Sequence, residues 1–234
     1  MKEAPQQQMT LGVHLRDDAT FANYLGDHNR EIAMRLRQAI GAPQLGLLFL
    51  CGDAGTGKSH LLQAACLEQE QRGGSSLCLS LEELVLLEPE ALQGLEVDDL
   101  ICLDGLEHLR GKEAWQEAFF HLFNRIQDAG RQLFVGSRFP PGELALELAD
   151  IQSRLASGLV LQLARPRDED FLEILGARAA RRGLSMPDEV AQYILRRAPR
   201  DAGALLELLD RLDSLSLQHQ RRLTVPFVKQ AMSW

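Results

Sequence analysis

Apolar residues along this chain follow two rhythms. Residues 45–51, Leu45-Gly46-Leu47-Leu48-Phe49-Leu50-Cys51, form an almost unbroken apolar run between Pro43 and a glycine-rich turn. Runs of this length suit parallel strands that are buried on both faces. Shorter runs predict further strands at 77–79, 100–103, 133–135 and 159–163. Between them the spacing turns helical, at 58–70 before Gly73-Gly74, at 81–87 and 89–95, and at 115–126 before Gly130. Pro140-Pro141 opens a short helix to about residue 148. Ahead of the first strand, Asp18 or Thr20 caps a helix to about residue 25, and a second helix covers 29–40.

Strands that alternate with helices predict an α/β domain with a mostly parallel, five-stranded sheet. After Pro166 no strand signal remains, and 168–182, 187–197, 202–217 and 225–232 all carry helical periodicity. The chain therefore divides into a polar, glutamine-rich arm at 1–13, a nucleotide-binding α/β domain at 14–165 and a small all-helical lid at 166–234.

Charge narrows the possible partners. The net charge of −8 is uneven: residues 1–165 carry −9 and residues 166–234 carry +1. An acidic main body disfavours tight non-specific DNA binding, which needs phosphates neutralised by Lys and Arg. The longest apolar runs fall far short of the roughly 20 residues that span a bilayer. The N-terminus has no apolar segment of the signal-peptide kind, so the expectation is a soluble, cytoplasmic protein without a membrane partner. The cysteines Cys51, Cys66, Cys78 and Cys102 form no CxxC pair, and they are expected to be reduced and buried as small apolar side chains.

The chemistry starts at Gly52-Asp53-Ala54-Gly55-Thr56-Gly57-Lys58-Ser59, a complete GxxxxGK[ST] pattern set between a strand and a helix. Its glycines let backbone N–H groups turn toward phosphate oxygens, and the start of the helix adds its dipole. Lys58 is placed for the β- and γ-phosphates and Ser59 for Mg2+. Such folds also need an acid at the end of a neighbouring strand, and Asp104 supplies it. An efficient ATPase has a second acid directly afterwards to orient water. This chain has Gly105 there, with Glu107 two residues further on, so hydrolysis by the chain alone is expected to be weak. Arg154, between the last two strands, is a candidate for a nucleotide held by a neighbouring subunit, although an ordinary surface Arg would fit the same spacing.

The order of these features resembles the AAA+ family. More narrowly it resembles the nucleotide-binding domain of the replication initiator DnaA and the Hda family of DnaA-related regulators. The resemblance covers nearly the whole chain. It is carried by Asp17-Asp18-Ala19-Thr20-Phe21, by Gly57-Lys58-Ser59-His60-Leu61-Leu62, by Leu122-Phe123-Asn124-Arg125-Ile126, by Ser153-Arg154-Leu155 and by the ending from Arg222 to Lys229. It implies that Asp18 and Phe21 line the adenine site and that the segment from Gly52 to His60 holds ADP or ATP. It implies that Ser59 and Asp104 hold Mg2+, that Ser137 lies in the segment sensing the γ-phosphate, and that Arg154 is an arginine finger acting in trans. The family's lid arginine has no counterpart, because Gly203 stands at its position; Arg200, three residues earlier, is the candidate replacement.

The arm fits the same picture. Gln8-Met9-Thr10-Leu11-Gly12-Val13 resembles a peptide that docks on the sliding clamp, the β subunit of DNA polymerase III, with Met9, Leu11 and Val13 as anchors. The chain stops at Trp234 directly after the lid, so the expectation is a regulator and not an initiator. The resemblance thus implies a negative regulator of replication initiation that links DnaA to the DNA-loaded clamp, meets DNA only through it, and stimulates hydrolysis of DnaA-bound ATP. Pairing into homodimers or higher oligomers is compatible with this. The alternative is an ATP-driven helicase loader or remodeller of the DnaC type, against which the acidic body and Gly105 both count.

Overall fold

A computed structural model describes residues 19–24, 26, 29–42 and 44–234. The arm, with Gln8, Met9, Thr10, Leu11 and Val13, lies outside the described residues, as does Asp18. Five strands, β1 (Leu47–Cys51), β2 (Ser76–Ser80), β3 (Leu100–Asp104), β4 (Gln132–Ser137) and β5 (Leu159–Gln162), form one sheet in the order β2-β3-β4-β1-β5. All four pairings are parallel. The central strands β1 and β4 are buried along their whole length, as their unbroken apolar sequences require.

Each central strand divides its side chains between two layers. Leu48, Leu50, Leu100, Cys102 and Phe134 face a cluster shared with α1 (Arg30–Ala39) and α2 (Lys58–Gln71). Leu47, Phe49, Ile101, Leu103, Leu133 and Val135 face the other, under α3 (Leu81–Leu84) and α4 (Glu113–Asp128). α4 contributes Trp115, Phe119, Leu122, Phe123 and Ile126, a spacing that keeps one helical stripe on the sheet. Burying side chains such as Phe49, Phe119 and Phe134 stabilises by about 1.5–3 kcal/mol each.

One buried polar residue organises the entry to β1. The Gln132 side chain accepts a hydrogen bond from the Gly41 N–H at 2.7 Å and donates to the carbonyls of Ala39 at 2.9 Å and Leu45 at 2.8 Å. It thereby satisfies backbone groups that the turn after α1 takes out of water.

The segment 140–148 departs from the predicted short helix. Only a single 3-10 turn, Pro141–Glu143, forms there. Burial then alternates: Leu144 and Leu146 point in, while Ala145 and Glu147 point out. Side chains from the preceding elements hold this extended stretch. Arg110 donates to the carbonyls of Glu143 and Leu144, and Gln116 accepts from the N–H groups of Glu147 and Leu148. A helix not anticipated from the sequence, α5 (Ala149–Ser157), follows and leads into β5. Helical expectations near the N-terminus and at 81–95 also shrink, to 3-10 turns at Phe21–Asn23, Pro89–Leu92 and Leu95–Val97 and to the single turn of α3. Thr20 makes no side-chain cap to the first of these.

The lid helices are α6 (Asp168–Arg181), α7 (Asp188–Arg197), α8 (Ala202–His219) and α9 (Val225–Met232). They surround a separate core built on Phe171, Leu175, Ile194, Leu205, Leu212 and Phe227. The N-termini of α6, α8 and α9 are capped by side chains. Asp170 accepts from the Arg167 N–H at 2.7 Å, Asp201 from the Ala204 N–H at 2.8 Å, and Thr224 from the Phe227 N–H at 3.3 Å.

Candidate nucleotide-binding site

The glycine-rich turn joins the end of β1 to the first residue of α2, so α2 starts on Lys58 with its N-terminus toward the turn. The Lys58 side chain is buried and curls over the turn, donating to the carbonyls of Gly52 at 2.7 Å and Asp53 at 2.8 Å. Burial pushes its ammonium below the usual lysine range, against the pull of Asp104 and Glu107. One residue on, the Ser59 hydroxyl donates to a carboxylate oxygen of Asp104 at the end of β3. A serine hydroxyl and an aspartate carboxylate are hard oxygen donors and fit Mg2+, with the remaining positions left for phosphate and water.

Beside this turn lies a cavity of about 310 Å³, closed on the far side by the lid. The turn from Gly55 to His60 forms its floor. Tyr24 closes one end, its hydroxyl donating to the Thr56 carbonyl at 2.9 Å; burial pushes that phenol well above its ordinary value. Ile174 and Leu206 from the lid complete an apolar section suited to a flat base. Asn29 grips the strap that leads into the lid: its side chain donates to the Ala164 carbonyl and accepts from the Ala164 N–H, both at 2.9 Å. From the lid side the Asp201 carboxylate leans on Gly55, and any side chain at Gly55 would collide with it.

Comparison with known proteins places this architecture. The sequence model of the bacterial DnaA ATPase domain matches residues 90–162, and that of the Hda lid domain matches residues 168–232. The chain is thus similar to the DnaA ATPase domain from β3 to β5 and to Hda across its helical lid. Solved structures agree on the fold. Domain III of the replication initiation protein DnaA from Thermotoga maritima is similar at 22% identity and a TM-score of 0.81, over 93% of this chain and 96% of that one. AMPPCP-bound DnaA from Aquifex aeolicus is similar at 25% identity and a TM-score of 0.71, over 87% of this chain and 67% of that one. The Thermotoga maritima RuvB branch migration motor shares the fold at 19% identity and a TM-score of 0.69, over 94% and 72%.

In this Hda-like protein the expected site residues separate into groups. Gly55, Thr56, Gly57, Lys58, Ser59 and His60 line the cavity, and Asp104 reaches it through Ser59. Gly52, Asp53 and Ala54 line a second, open groove of about 780 Å³ on the other side of the turn, together with Arg138. Phe21 does not line the cavity. It packs into the layer under α1, with the Arg37 guanidinium 5.9 Å from its ring centre, and Tyr24 stands at the cavity in its stead. Ser137 is buried, and its hydroxyl accepts from the Phe139 N–H at 3.1 Å, capping its own turn.

Arg200 is held elsewhere too. α8 begins only at Ala202, so Arg200 precedes the helix and does not share its face with Gly203. Its guanidinium makes two hydrogen bonds to Asp168, at 2.9 and 3.1 Å, and that pairing depresses the Asp168 carboxyl. Gly203 itself lines the cavity. Arg154 lies away from this cavity, on α5, and donates to the Asn124 side chain at 2.6 Å. The sequence pattern gave no signal for Tyr24, Asn29, Asp170, Ile174, Asp201 or Leu206, which short loops and distant helices bring together.

The missing second acid has a backbone cause. Gly105 takes a left-handed conformation (φ 84°), which disfavours any side chain. A 3-10 turn, Leu106–Leu109, then returns Glu107 to the end of β4, where it accepts from the Arg138 N–H at 3.1 Å and pairs with the Arg138 guanidinium at 3.3 Å.

Asp104 yields a pH-dependent expectation. Burial, opposed by the Ser59 hydrogen bond and by Lys58, raises its carboxyl above the ordinary range. A carboxyl whose folded value lies above its unfolded value makes folding less favourable once ionised. That cost is absent below the unfolded value, grows as pH rises through the folded value and then stays constant. Asp104→Asn is therefore expected to raise the melting temperature of the nucleotide-free protein at neutral pH, with the gain fading as pH falls into the carboxylate range. Equal melting curves for both proteins across pH 4–8 would contradict this.

Proposed function

We propose that this protein is a nucleotide-holding negative regulator of replication initiation that acts on DnaA. The observation that carries the reading is a phosphate turn complete through Lys58, Ser59 and Asp104 but lacking an acid at Gly105, set under a lid of the Hda kind. A site of that make-up is built to hold a nucleotide more than to consume one. AMPPCP on the Aquifex aeolicus DnaA neighbour supports an adenine nucleotide, ADP or ATP, as the ligand here.

In this reading the backbone N–H groups of the turn and Lys58 bind the phosphates, while Tyr24, Ile174 and Leu206 enclose the base. Ser59 and Asp104 hold Mg2+, which screens phosphate charge when bound. Asn29 anchors the strap that leads into the lid, and Asp201 sets the lid against the turn. The bound nucleotide stabilises the closed arrangement of the two cores, as any ligand selective for one state does. Arg154, on α5 beside α4, completes the active site of a neighbouring DnaA in trans. The arm from Gln8 to Val13 docks on the sliding clamp, so the protein acts where the clamp sits on DNA.

The test is hydrolysis of DnaA-bound ATP on clamp-loaded DNA, with and without this protein. Acceleration that needs the clamp and disappears in a Gln8→Ala/Leu11→Ala double variant supports the reading. Brisk ATP turnover by this protein alone, with no effect on DnaA, would identify a self-powered remodeller of the DnaC type instead.

A further inference from the structure

The lid reaches the nucleotide cavity with the starts of two helices. The start of α8 meets the phosphate turn, where the Asp201 carboxylate lies against Gly55. The start of α6 meets the segment ahead of α1, where the Asp170 carboxylate lies against Gly26. A Cβ on Gly26 would stand 3.2 Å from Asp170 Oδ1, and both residues line the cavity. Asp170 and Ile174 are four residues apart on α6, so they share one face of the helix. Ile174 also lines the cavity. The carboxylate therefore borders the apolar section suited to a base, at the end away from Gly55.

The polar side chains at this end differ in what they can still offer a ligand. Asn29 spends its amide twice on Ala164, and Tyr24 donates its hydroxyl to the Thr56 carbonyl. Asp170 accepts from the Arg167 N–H through Oδ2 at 2.7 Å, the bond that caps α6. Its Oδ1 accepts from no described residue, and the side chain is half-buried. A carboxylate oxygen accepts hydrogen bonds and donates none. Such an oxygen beside an apolar slot favours a base edge that donates and opposes one that accepts, because the accepting edge leaves both groups unpaired.

We infer that Asp170 is the residue that selects the base, its Oδ1 accepting from the 6-amino group of adenine. The inference rests on the proposed reading that this cavity holds an adenine nucleotide, and it adds the discrimination against 6-oxopurines. Hypoxanthine differs from adenine at this edge by a carbonyl oxygen in place of the amino group, and that oxygen faces the carboxylate acceptor to acceptor. Asp170→Asn inverts the chemistry. An amide nitrogen cannot accept from the Arg167 N–H, so the Asn carbonyl oxygen must keep the cap and the NH2 takes the place of Oδ1. A donor then faces the base, which suits the 6-oxo group.

The experiment titrates the full chain with ADP and with inosine diphosphate, each in Mg2+, by calorimetry. The parent is expected to bind ADP at least about tenfold more tightly, the worth of one hydrogen bond to a charged group. Asp170→Asn should bind inosine diphosphate the more tightly, and Asp170→Ala should bind the two alike, with melting curves confirming that each variant is folded. The parent's own ratio decides the matter should a variant fail to fold. Equal or tighter binding of inosine diphosphate by the parent, as follows if the carboxylate pairs with the N1–H of a 6-oxopurine, overturns the inference. A folded Asp170→Asn that keeps the preference for ADP overturns it too. In both cases the nucleotide-holding reading stands, whereas a parent that binds neither nucleotide overturns the two together.

Discussion

Replacing Arg154 with Ala is expected to leave the protein folded and able to bind nucleotide, yet to abolish the proposed acceleration of ATP hydrolysis on DnaA. The structural cost is small. Arg154 lies half-buried along α4, its guanidinium 4.8 Å from the Phe120 ring centre and 5.5 Å from that of Phe123, with a hydrogen bond to Asn124. Stacking of this kind contributes about 0.5–1 kcal/mol at an exposed site. Melting should therefore change little. An arginine finger, by contrast, is worth about 10³–10⁵ in rate where it meets transition-state charge. Arg154→Lys keeps the charge but loses the planar fork, and most of the acceleration should vanish with it. Single-turnover hydrolysis on DnaA with clamp-loaded DNA measures the effect. Full acceleration by Arg154→Ala would remove Arg154 from the mechanism without touching the fold.

A second large effect is expected from one methyl group at Gly136. This residue sits in β4, opposite Leu50 of β1 and Asp104 of β3. A Cβ there would strike the Asp104 carboxylate and stand 2.9 Å from the Leu62 side chain. Leu62 can shift, but the carboxylate is held by Ser59, so Gly136→Ala separates the pair that fits Mg2+. Nucleotide affinity in Mg2+ should fall at least about tenfold, roughly 1.4 kcal/mol, while affinity in EDTA stays near that of the parent. Overpacking adds about 1–3 kcal/mol of destabilisation. Isothermal titration with and without Mg2+ separates the two effects, and equal losses in both buffers would refute the assignment. Adding Leu62→Ala should not restore binding, because the displaced group is the carboxylate.

What could be read from the sequence followed the range of the interactions involved. The strands β1, β3 and β4 announce themselves because a strand buried on both faces needs an unbroken apolar run. The phosphate turn does so because its glycines, Lys58 and Ser59 are neighbours in sequence. The lid helices keep a 3.6-residue rhythm, and their predicted ends lie within a few residues of the observed ones. The segment 143–148 fails that rhythm for a nonlocal reason: Arg110 and Gln116 satisfy its backbone, so it needs no helix of its own. Arg200 misled through a boundary, since one turn of spacing matters only if the helix already exists there. Phe21 and Tyr24 are three residues apart in a stretch with little periodicity, and only packing against α1 decides which faces the cavity.

The double hydrogen bond between Asn29 and Ala164 has a mechanical consequence. It fastens the last residue but one before Pro166 to the foot of α1, on the α/β core. Beyond Pro166, Asp170 ties the Arg167 backbone to α6. Torsional freedom between the cores is thus squeezed into the two or three peptide units around Arg165 and Pro166, and proline's fixed φ removes one of the dihedrals. A pivot that short lets the lid turn about a point just beyond the end of β5, like a gate on its post, but leaves it little chain with which to slide away.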